Sequence, residues 1–234
     1  MRKFVDLHLK PPADAIGRRR MLELAARLGF SGLGVVLEGK ADESVGDITS
    51  DKRLDIVSRV DLKPNSPREL TAALGRVRRR FEVVAVDCKS KSVARQAAKD
   101  NRVDVLNFPV SVQARRRAGF DRQEASLAAG SNCMYEINVS DLLGKGPMVV
   151  SGFLSIIREE VHNAKRYAVP IVVSSGAGDP LHMREPRGLA AVLCLLDIGE
   201  EEGLDTVSTN PSMIIEANRE KSGQRFVAPG VRVV

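Results

Sequence analysis

The stretch Ile171–Arg187, IVVSSGAGDPLHMREPR, predicts a strand, a polar loop and the start of a helix. Its first three residues are apolar and β-branched, which is typical of a buried strand. The serine and glycine residues that follow let the backbone turn tightly and expose its N–H groups. Pro186 fits the first turn of a helix, and the apolar run after it predicts a buried helix over Leu189–Ile198. The stretch is therefore one strand–loop–helix unit of an α/β fold.

Two arginines, Arg184 and Arg187, stand at the start of this predicted helix, where the helix dipole favours negative charge. A phosphate held by free N–H groups and by both arginines would offset the repulsion between these cations and the positive end of the helix dipole. Alternatively, one arginine pairs with Asp179 or Glu185 and the other is solvated. The charge pattern alone leaves both interpretations open.

The composition indicates a globular protein with a basic balance. The chain has 234 residues, 43% of them hydrophobic, and a formal net charge of +6. This balance suits a polyanionic partner, whereas an aromatic content of 4% argues against base stacking as the main mode of nucleic-acid contact. No signal peptide opens the chain and no apolar run reaches membrane-spanning length, so we expect a cytoplasmic protein with no membrane partner.

Strand–helix units recur along the whole chain, from a first strand at Phe4–Leu9 to a short strand predicted near Asp205–Ser208. Such alternation predicts a parallel sheet covered by helices. A count of about seven to eight parallel strands predicts an α/β fold with a single TIM-like (β/α) barrel. No change in composition marks a second domain, so one barrel domain is expected over residues 1–234.

Arginine clusters are the clearest sign of a phosphate-binding surface, because the planar guanidinium matches phosphate geometry. The run Arg115–Arg117 is predicted in a loop after the fifth strand, with no acidic neighbour before Asp121. It is therefore the strongest of three arginine clusters as a candidate site. The other two clusters are predicted on helices beside acidic residues, which favours a solvated surface.

The first strand carries Asp6 and His8 in the order Asp-x-His, which also opens a barrel strand in metal-dependent phosphoesterases of the polymerase and histidinol phosphatase type. Lys10 stands where that pattern continues with a second histidine, and the chain has three histidines in all. A cation at this position disfavours a multinuclear metal site. We therefore predict no metal ligands and no catalytic residues, with such a phosphoesterase as the alternative function.

Six stretches match a known family in their order and spacing: FVDLHL at Phe4–Leu9, LGFSGLGVVL at Leu28–Leu37, Val83–Pro109, YEINVSDLL at Tyr135–Leu143, VVSSGAGDPLHMREPRGL at Val172–Leu189, and VSTNP at Val207–Pro211. Together they resemble archaeal ribonuclease P protein component 3, the family that corresponds to the thirty-kilodalton subunit of the eukaryotic enzyme. The most specific part is the double serine followed by Arg-x-Pro, with Ser-Thr-Asn after the next helix. The resemblance extends over nearly the whole chain.

The resemblance implies a barrel protein within a ribonucleoprotein endonuclease that removes the 5′ leader of precursor tRNA. It implies that an RNA subunit and its Mg²⁺ ions carry the chemistry, so the chain should bind no cofactor and be inactive alone. The implied role is to bind and stabilise the ribonuclease P RNA. The implied protein partners are protein component 2, in a heterotetramer, and other ribonuclease P proteins.

The resemblance also implies a set of RNA-binding positions that this sequence supplies. They are Lys40, Arg68, Lys89, Arg95, Arg115, Ser174, Ser175, Arg184 and Arg187. The two serines and the last two arginines match the family pattern best. A basic barrel that acts only as a protein scaffold is a further alternative, and it predicts no RNA affinity above the non-specific level.

Overall fold

A computed structural model describes residues 2–37, 54–222, 226–228 and 231–232 of the chain. The sheet strands are Val5–Leu9 (β1), Gly32–Val36 (β2), Asp55–Leu62 (β3), Val83–Asp87 (β4), Val105–Asn107 (β5), Met134–Asn138 (β6) and Ile171–Ser174 (β7). These seven strands are parallel, and each pairs with the next along the chain. The sheet curls until β1 approaches β7, as the parallel bridge between Leu9 and Ala177 shows. The predicted TIM-like barrel is confirmed.

Helices occur in every described strand-to-strand connection, while the connection from β2 to β3 falls in the range 38–53, outside the described residues. They are Ala15–Leu28 (α1), Pro67–Val77 (α2), Lys91–Ala98 (α3), Val112–Ala118 (α4), Arg122–Ser131 (α5), Pro147–Arg166 (α6), Pro186–Ala191 (α7), Glu200–Thr206 (α8) and Thr209–Ser222 (α9). An antiparallel pair, Phe226–Ala228 (β8) and Val231–Arg232 (β9), follows them. Across the ranges that the structure describes, no helix combines the length and apolar character needed to cross a membrane.

Local signals set the starts of several helices. Ser66 accepts a hydrogen bond from Glu69 N and precedes Pro67, and Ser90 accepts one from Val93 N. Each serine thereby satisfies a backbone donor that the first helical turn leaves free. Ser66 and Ser90 are thus the N-terminal caps of α2 and α3.

The helix predicted after Pro186, with its apolar run over Leu189–Ile198, ends earlier than expected. It starts at Pro186 as α7 and continues as a 3₁₀ helix over Val192–Leu196. Its apolar residues are not buried on all sides, because Leu193 is completely buried whereas Leu195 is 56% exposed. The tighter 3₁₀ turn rotates successive side chains by about a third of a turn, so one face remains in solvent.

The prediction of a strand near Asp205–Ser208 is wrong, because these residues form the end of α8 and the turn before α9. This turn nevertheless takes the place of an eighth strand at the amino end of the barrel. Val5 N donates to Val207 O at 2.9 Å, and Asn210 Nδ2 donates to Ile171 O at 2.7 Å. Backbone groups on the facing edges of β1 and β7 are thus satisfied without a strand between them.

The barrel interior is apolar at the amino end and polar at the carboxyl end. The apolar half is closed from below by Ile214 and Ile215 of α9, which pack against inward-facing side chains of the strands. Because side chains alternate between the two faces of a strand, each strand places more than one side chain in the interior. Further along the same strands these inward-facing side chains are polar. These polar residues are His8, Arg59, Asp61, Asn107, Glu136, Asn138 and Ser174.

Gly34 on β2 faces the backbone of β1, where the pairing of that strand is irregular. A Cβ atom at residue 34 would lie 2.2 Å from the carbonyl oxygen of Leu7. This oxygen also accepts a hydrogen bond of 2.9 Å from Arg59 Nη1. The absence of a side chain at Gly34 therefore lets β1 present a carbonyl group to the interior arginine.

We expect Gly34→Ala to lower the free energy of unfolding by about 1–3 kcal/mol, because the added methyl group meets rigid backbone. Gly75→Ala is the matched control, since its Cβ on α2 would meet nothing within 4 Å. That exchange should stabilise by roughly 0.5–1 kcal/mol through helix propensity. Urea unfolding followed by circular dichroism measures both, and effects of the same sign would contradict the close approach of β1 and β2.

Candidate nucleic-acid interface and the polar centre

Arg59 lies in the middle of the polar half of the barrel and is completely buried. Its Nε donates to Asp61 Oδ1 at 2.7 Å, and its two Nη atoms donate to the two carboxylate oxygens of Glu136, each at 2.7 Å. Together with the bond to Leu7 O, the planar guanidinium links β1, β3 and β6.

His8 is buried beside this guanidinium, and its protonation follows from its neighbours. Glu136 accepts from Asn107 Nδ2 at 2.8 Å, and Asn107 Oδ1 accepts from Asn138 Nδ2 at 2.9 Å. Asn138 Oδ1 therefore accepts from His8 Nδ1, 2.8 Å away. His8 Nε2 lies 2.9 Å from Asp61 Oδ2. Arg59 Nη2 also lies 3.2 Å from Nδ1, but Asn138 Oδ1 is the nearer group, so each ring nitrogen has an acceptor for a proton, as in a protonated imidazole.

The charges of this centre balance one another. Burial raises the pKa of Asp61 and Glu136, but the nearby Arg59 and His8 outweigh it, so both pKa values lie well below the usual range. Burial and the charge of Arg59 lower the pKa of His8, whereas Glu136 and Asp61 raise it by more. Two cations therefore face two carboxylates inside the barrel.

Ser174 and Ser175 belong to this buried centre and have no exposed surface. Ser174 Oγ donates to Glu136 Oε1 at 2.7 Å. Ser175 N donates to Asp6 Oδ1 at 3.0 Å, which joins β7 to β1 at the seam of the barrel. The predicted RNA contact of both serines is therefore corrected: their hydroxyl groups face the protein interior, out of reach of RNA.

Arg115 lies on α4, not in a loop, and is 3% exposed. Its Nε and Nη2 lie 2.8 and 2.7 Å from Glu160 Oε2, and Nη2 donates to the Tyr135 hydroxyl group at 2.7 Å. The prediction of an arginine free to bind phosphate is wrong here, because its acidic partner is 45 residues further along the chain. Arg116 and Arg117 of the same run are exposed.

Among the described residues, seven exposed cations lie between the carboxyl end of a strand and the body of the next helix. We call this set the basic rim: Lys10, Lys63, Arg68, Lys89, Lys145, Arg184 and Arg187. Because all seven strands are parallel, the loops that carry these residues meet at one end of the barrel. Four members were predicted from the sequence. Three lysines were missed. Lys10 and Lys63 share the signal that would have found them, a place directly after a strand, whereas Lys145 lies further along the loop between β6 and α6.

Two other predicted residues lie elsewhere. Arg95 is on the outer wall of the barrel, on α3, with its Nε 3.4 Å from Glu124 Oε1. Lys40 falls in the range 38–53, outside the described residues.

The basic rim carries positive charge that the described part of the protein leaves largely unpaired. Within the described ranges, only Arg187 of this set has a carboxylate within ion-pair distance, Glu200 at 4.0 Å. At the amino end of the barrel, by contrast, Arg219 pairs with both Asp55 and Glu82. An unneutralised ring of cations at one end is the electrostatic footprint of a polyanion-binding surface.

Arg184 is held in place by the loop between β7 and α7. Its Nη1 donates to the carbonyl oxygens of Leu181 and Met183 at 2.8 and 2.7 Å. Neither Asp179 nor Glu185 pairs with it, so the interpretation of a local ion pair is wrong for Arg184. The rest of its guanidinium remains in solvent.

The polar centre contains residue types that hydrolases use, but here they bond to one another. Arg59 occupies the space between Asp61, Glu136 and His8, so these side chains do not fit a metal ion while the arginine is present. Among the described residues, no group of three His, Cys, Asp or Glu side chains is arranged to hold a metal. A barrel with a filled centre and a basic rim defines a nucleic-acid-binding scaffold.

Comparison with known proteins agrees with this class. The chain belongs to the family described as RNase P subunit p30, which matches residues 3–223. Ribonuclease P protein component 3 of Methanosarcina barkeri is 29% identical, over 99% of this chain and 96% of the relative. A chain in a cryo-EM structure of archaeal ribonuclease P with mature tRNA has a TM-score of 0.83 at 22% identity, covering 98% of this chain and 97% of that one.

More distant barrels share the fold alone. A histidinol phosphate phosphatase of Lactococcus lactis, solved with zinc, L-histidinol and phosphate, has a TM-score of 0.53 at 11% identity. The superposition covers 83% of this chain and 93% of the phosphatase. Likeness at this level carries no information about the chemistry of the barrel centre.

We expect the stability of the protein to fall as pH rises above about 6.5, the ordinary pKa of histidine. The pKa of His8 is raised by folding, so its contribution is complete below that pH and is lost as pH rises through the folded-state pKa. Asp61 and Glu136, with lowered pKa values, act oppositely and lose their contribution in acid. Urea unfolding from pH 4 to about 9 measures the profile.

His8→Gln should flatten the alkaline side of this profile, whereas His162→Gln, on the exposed surface of α6, should leave it as in the unaltered chain. Equal alkaline slopes in His8→Gln and the unaltered chain would contradict the protonated interior histidine.

We expect Arg115→Ala to lower the free energy of unfolding by about 3–5 kcal/mol, because it leaves the buried Glu160 carboxylate without its cation. Arg116→Ala, on the exposed side of the same helix, should change it by no more than about 0.5 kcal/mol. Chemical denaturation of both variants distinguishes an interior ion pair from a surface phosphate contact. A stable Arg115→Ala protein with weakened RNA binding would restore the loop interpretation.

Proposed function

We propose that this chain is the component 3 subunit of an archaeal ribonuclease P and that it binds the catalytic RNA through the basic rim. In this proposal the protein holds the RNA in the fold that removes the 5′ leader of precursor tRNA. Membership of the RNase P subunit p30 family over residues 3–223 supports the assignment. The unneutralised charge of the basic rim is the observation that carries the RNA-binding role.

The rim suits recognition of RNA by charge and shape. Lysine and arginine side chains neutralise phosphates and release counterions, which gives affinity without base contacts. A-form helices hide their base edges in a deep major groove, so phosphates and 2′-hydroxyl groups are what a rigid rim can reach. The barrel supplies rigidity, because the loops leave strands that are locked together by the polar centre.

The proposal assigns the chemistry to the RNA subunit and its Mg²⁺ ions, so this chain supplies positioning alone. It includes protein component 2 as the partner in a heterotetramer, other ribonuclease P proteins, and the cytoplasm as the location. The phosphoesterase alternative has weaker support, because its two candidate ligands are engaged within the protein. Asp6 Oδ1 accepts from Ser175 N and from His8 N, and His8 Nε2 lies 2.9 Å from Asp61 Oδ2.

Reconstitution tests this function directly. Precursor-tRNA cleavage at low Mg²⁺ is measured with the RNA subunit and component 2, with and without this chain. Cleavage that requires the chain, together with an inactive isolated chain, is the expected result. Chelator-sensitive hydrolysis by the chain alone would support the phosphoesterase instead.

We expect Arg184→Ala and Lys89→Ala each to flatten the salt dependence of RNA binding by about one unit of slope, since each loses one phosphate contact. Arg80→Ala, which removes an exposed arginine at the amino end of the barrel, is the matched control and should leave the slope unchanged. Filter binding or fluorescence anisotropy across a series of KCl concentrations gives these slopes. A flatter slope in Arg80→Ala alone would place the RNA surface at the opposite end.

A further inference from the structure

The side chains that surround Arg59 have the composition of a divalent-metal site. Asp61 and Glu136 supply carboxylates and His8 supplies an imidazole, the ligand types that bind Zn²⁺ and Mn²⁺ in proteins. They project from three separate strands into one buried space. Ligands brought together in this way by a rigid sheet are held near their positions whether or not an ion is bound.

A second layer of polar groups orients these side chains. Ser174 Oγ donates to Glu136 Oε1 at 2.7 Å, and Asn107 Nδ2 donates to Glu136 Oε2 at 2.8 Å. Hydrogen bonds of this kind fix metal-binding carboxylates in metalloproteins. The layer would therefore keep Glu136 in place if its cation were exchanged.

Asp6 adds a spare carboxylate oxygen next to this group. The residue is completely buried, and its Oδ1 accepts from Ser175 N at 3.0 Å and from His8 N at 3.3 Å. Its Oδ2 has no hydrogen-bond partner among the residues that the structure describes. A buried acceptor without a partner is costly, and a cation nearby would relieve that cost.

The guanidinium of Arg59 now fills the position that such a cation would take. Its hydrogen bonds of 2.7 Å to Asp61 and Glu136 use the same oxygen atoms that a metal would coordinate. Arginine remains charged at every accessible pH, so the neutralisation is permanent and independent of metal supply.

We propose that Arg59 is a cation built into the chain in place of a divalent metal ion, and that Asp61, Glu136 and His8 form a latent metal site. The site opens when the guanidinium is removed. The inference concerns the interior of the barrel and is independent of the RNA-binding role of the rim.

The test compares the thermal unfolding midpoint, Tm, of Arg59→Ala with that of the unaltered chain, in EDTA and in ZnCl₂ or MnCl₂. In EDTA the variant should lose roughly 10 °C, because two buried carboxylates lose their cation. Metal should restore at least about half of that loss by mass action on the folded state. The Tm of the unaltered chain should change by less than about 1 °C between the same conditions.

Matched variants separate a specific site from general metal effects. Arg59→Ala with Glu136→Gln removes a ligand and should not respond to metal. Arg59→Lys keeps a buried positive charge and should also fail to respond. Arg19→Ala, which removes an exposed arginine paired with Glu23, should behave as the unaltered chain in every condition.

If Arg59→Ala does not fold in EDTA, it is refolded from urea in ZnCl₂, MnCl₂ or EDTA and followed by circular dichroism. Folding that depends on metal supports the latent site. Failure to fold with either metal, a folded variant without any metal response, or an unaltered chain whose Tm falls in EDTA would each overturn the proposal.

Discussion

The bidentate bond between Arg59 and Glu136 is the interaction on which the upper barrel depends. It joins β3 to β6 across the interior, and the carboxylate that it fixes sets the direction of the whole amide chain through Asn107 and Asn138 to His8. Burying these charges is costly, and only the near-complete satisfaction of their donors and acceptors offsets the desolvation. Even the absence of a side chain at Gly34 serves this bond, because it lets β1 offer a carbonyl group to the same guanidinium.

The polar centre, which Arg59 fills, determines which part of the barrel is available to bind a partner. TIM barrels place functional groups at the carboxyl ends of their strands, and in an enzyme the interior side chains reach up into that site. Here the charged side chains of the interior bond to one another. The groups available at the end of the barrel are therefore the loops and their exposed cations. The same geometry that would orient a substrate over a metal instead presents a rigid ring of positive charge. The surface that can bind a partner is thus the loop end of the barrel and not its interior, on the same fold that enzymes use.

Local chemistry explains what could be predicted from the sequence. The strand that begins at Ile171 and the helix start at Pro186 depend on neighbouring residues, and regular alternation of strands and helices is enough to predict a barrel. What could not be predicted depends on partners far away in the chain. Arg115 looks free until the fold brings Glu160 to it, and Ser174 looks exposed on a glycine-rich loop until the fold lets it donate a hydrogen bond to Glu136. The positions of the rim residues are an intermediate case for prediction, because they depend on the order and direction of the strands and not on any particular contact.

The residues of the basic rim differ in how much side-chain motion a phosphate contact would have to restrict. Lys89 is exposed, with no hydrogen bond from its ammonium group to any described residue, so a phosphate contact must immobilise a long flexible side chain. Arg184 is already anchored through Nη1 to two loop carbonyl groups, which leaves Nε and Nη2 as donors in a fixed plane. Part of the ordering cost is therefore met when the protein folds, and less of it opposes association. In the proposed RNA complex, Arg184, positioned by its own loop, would fix the register of an RNA strand, while the lysines would add affinity that salt screens.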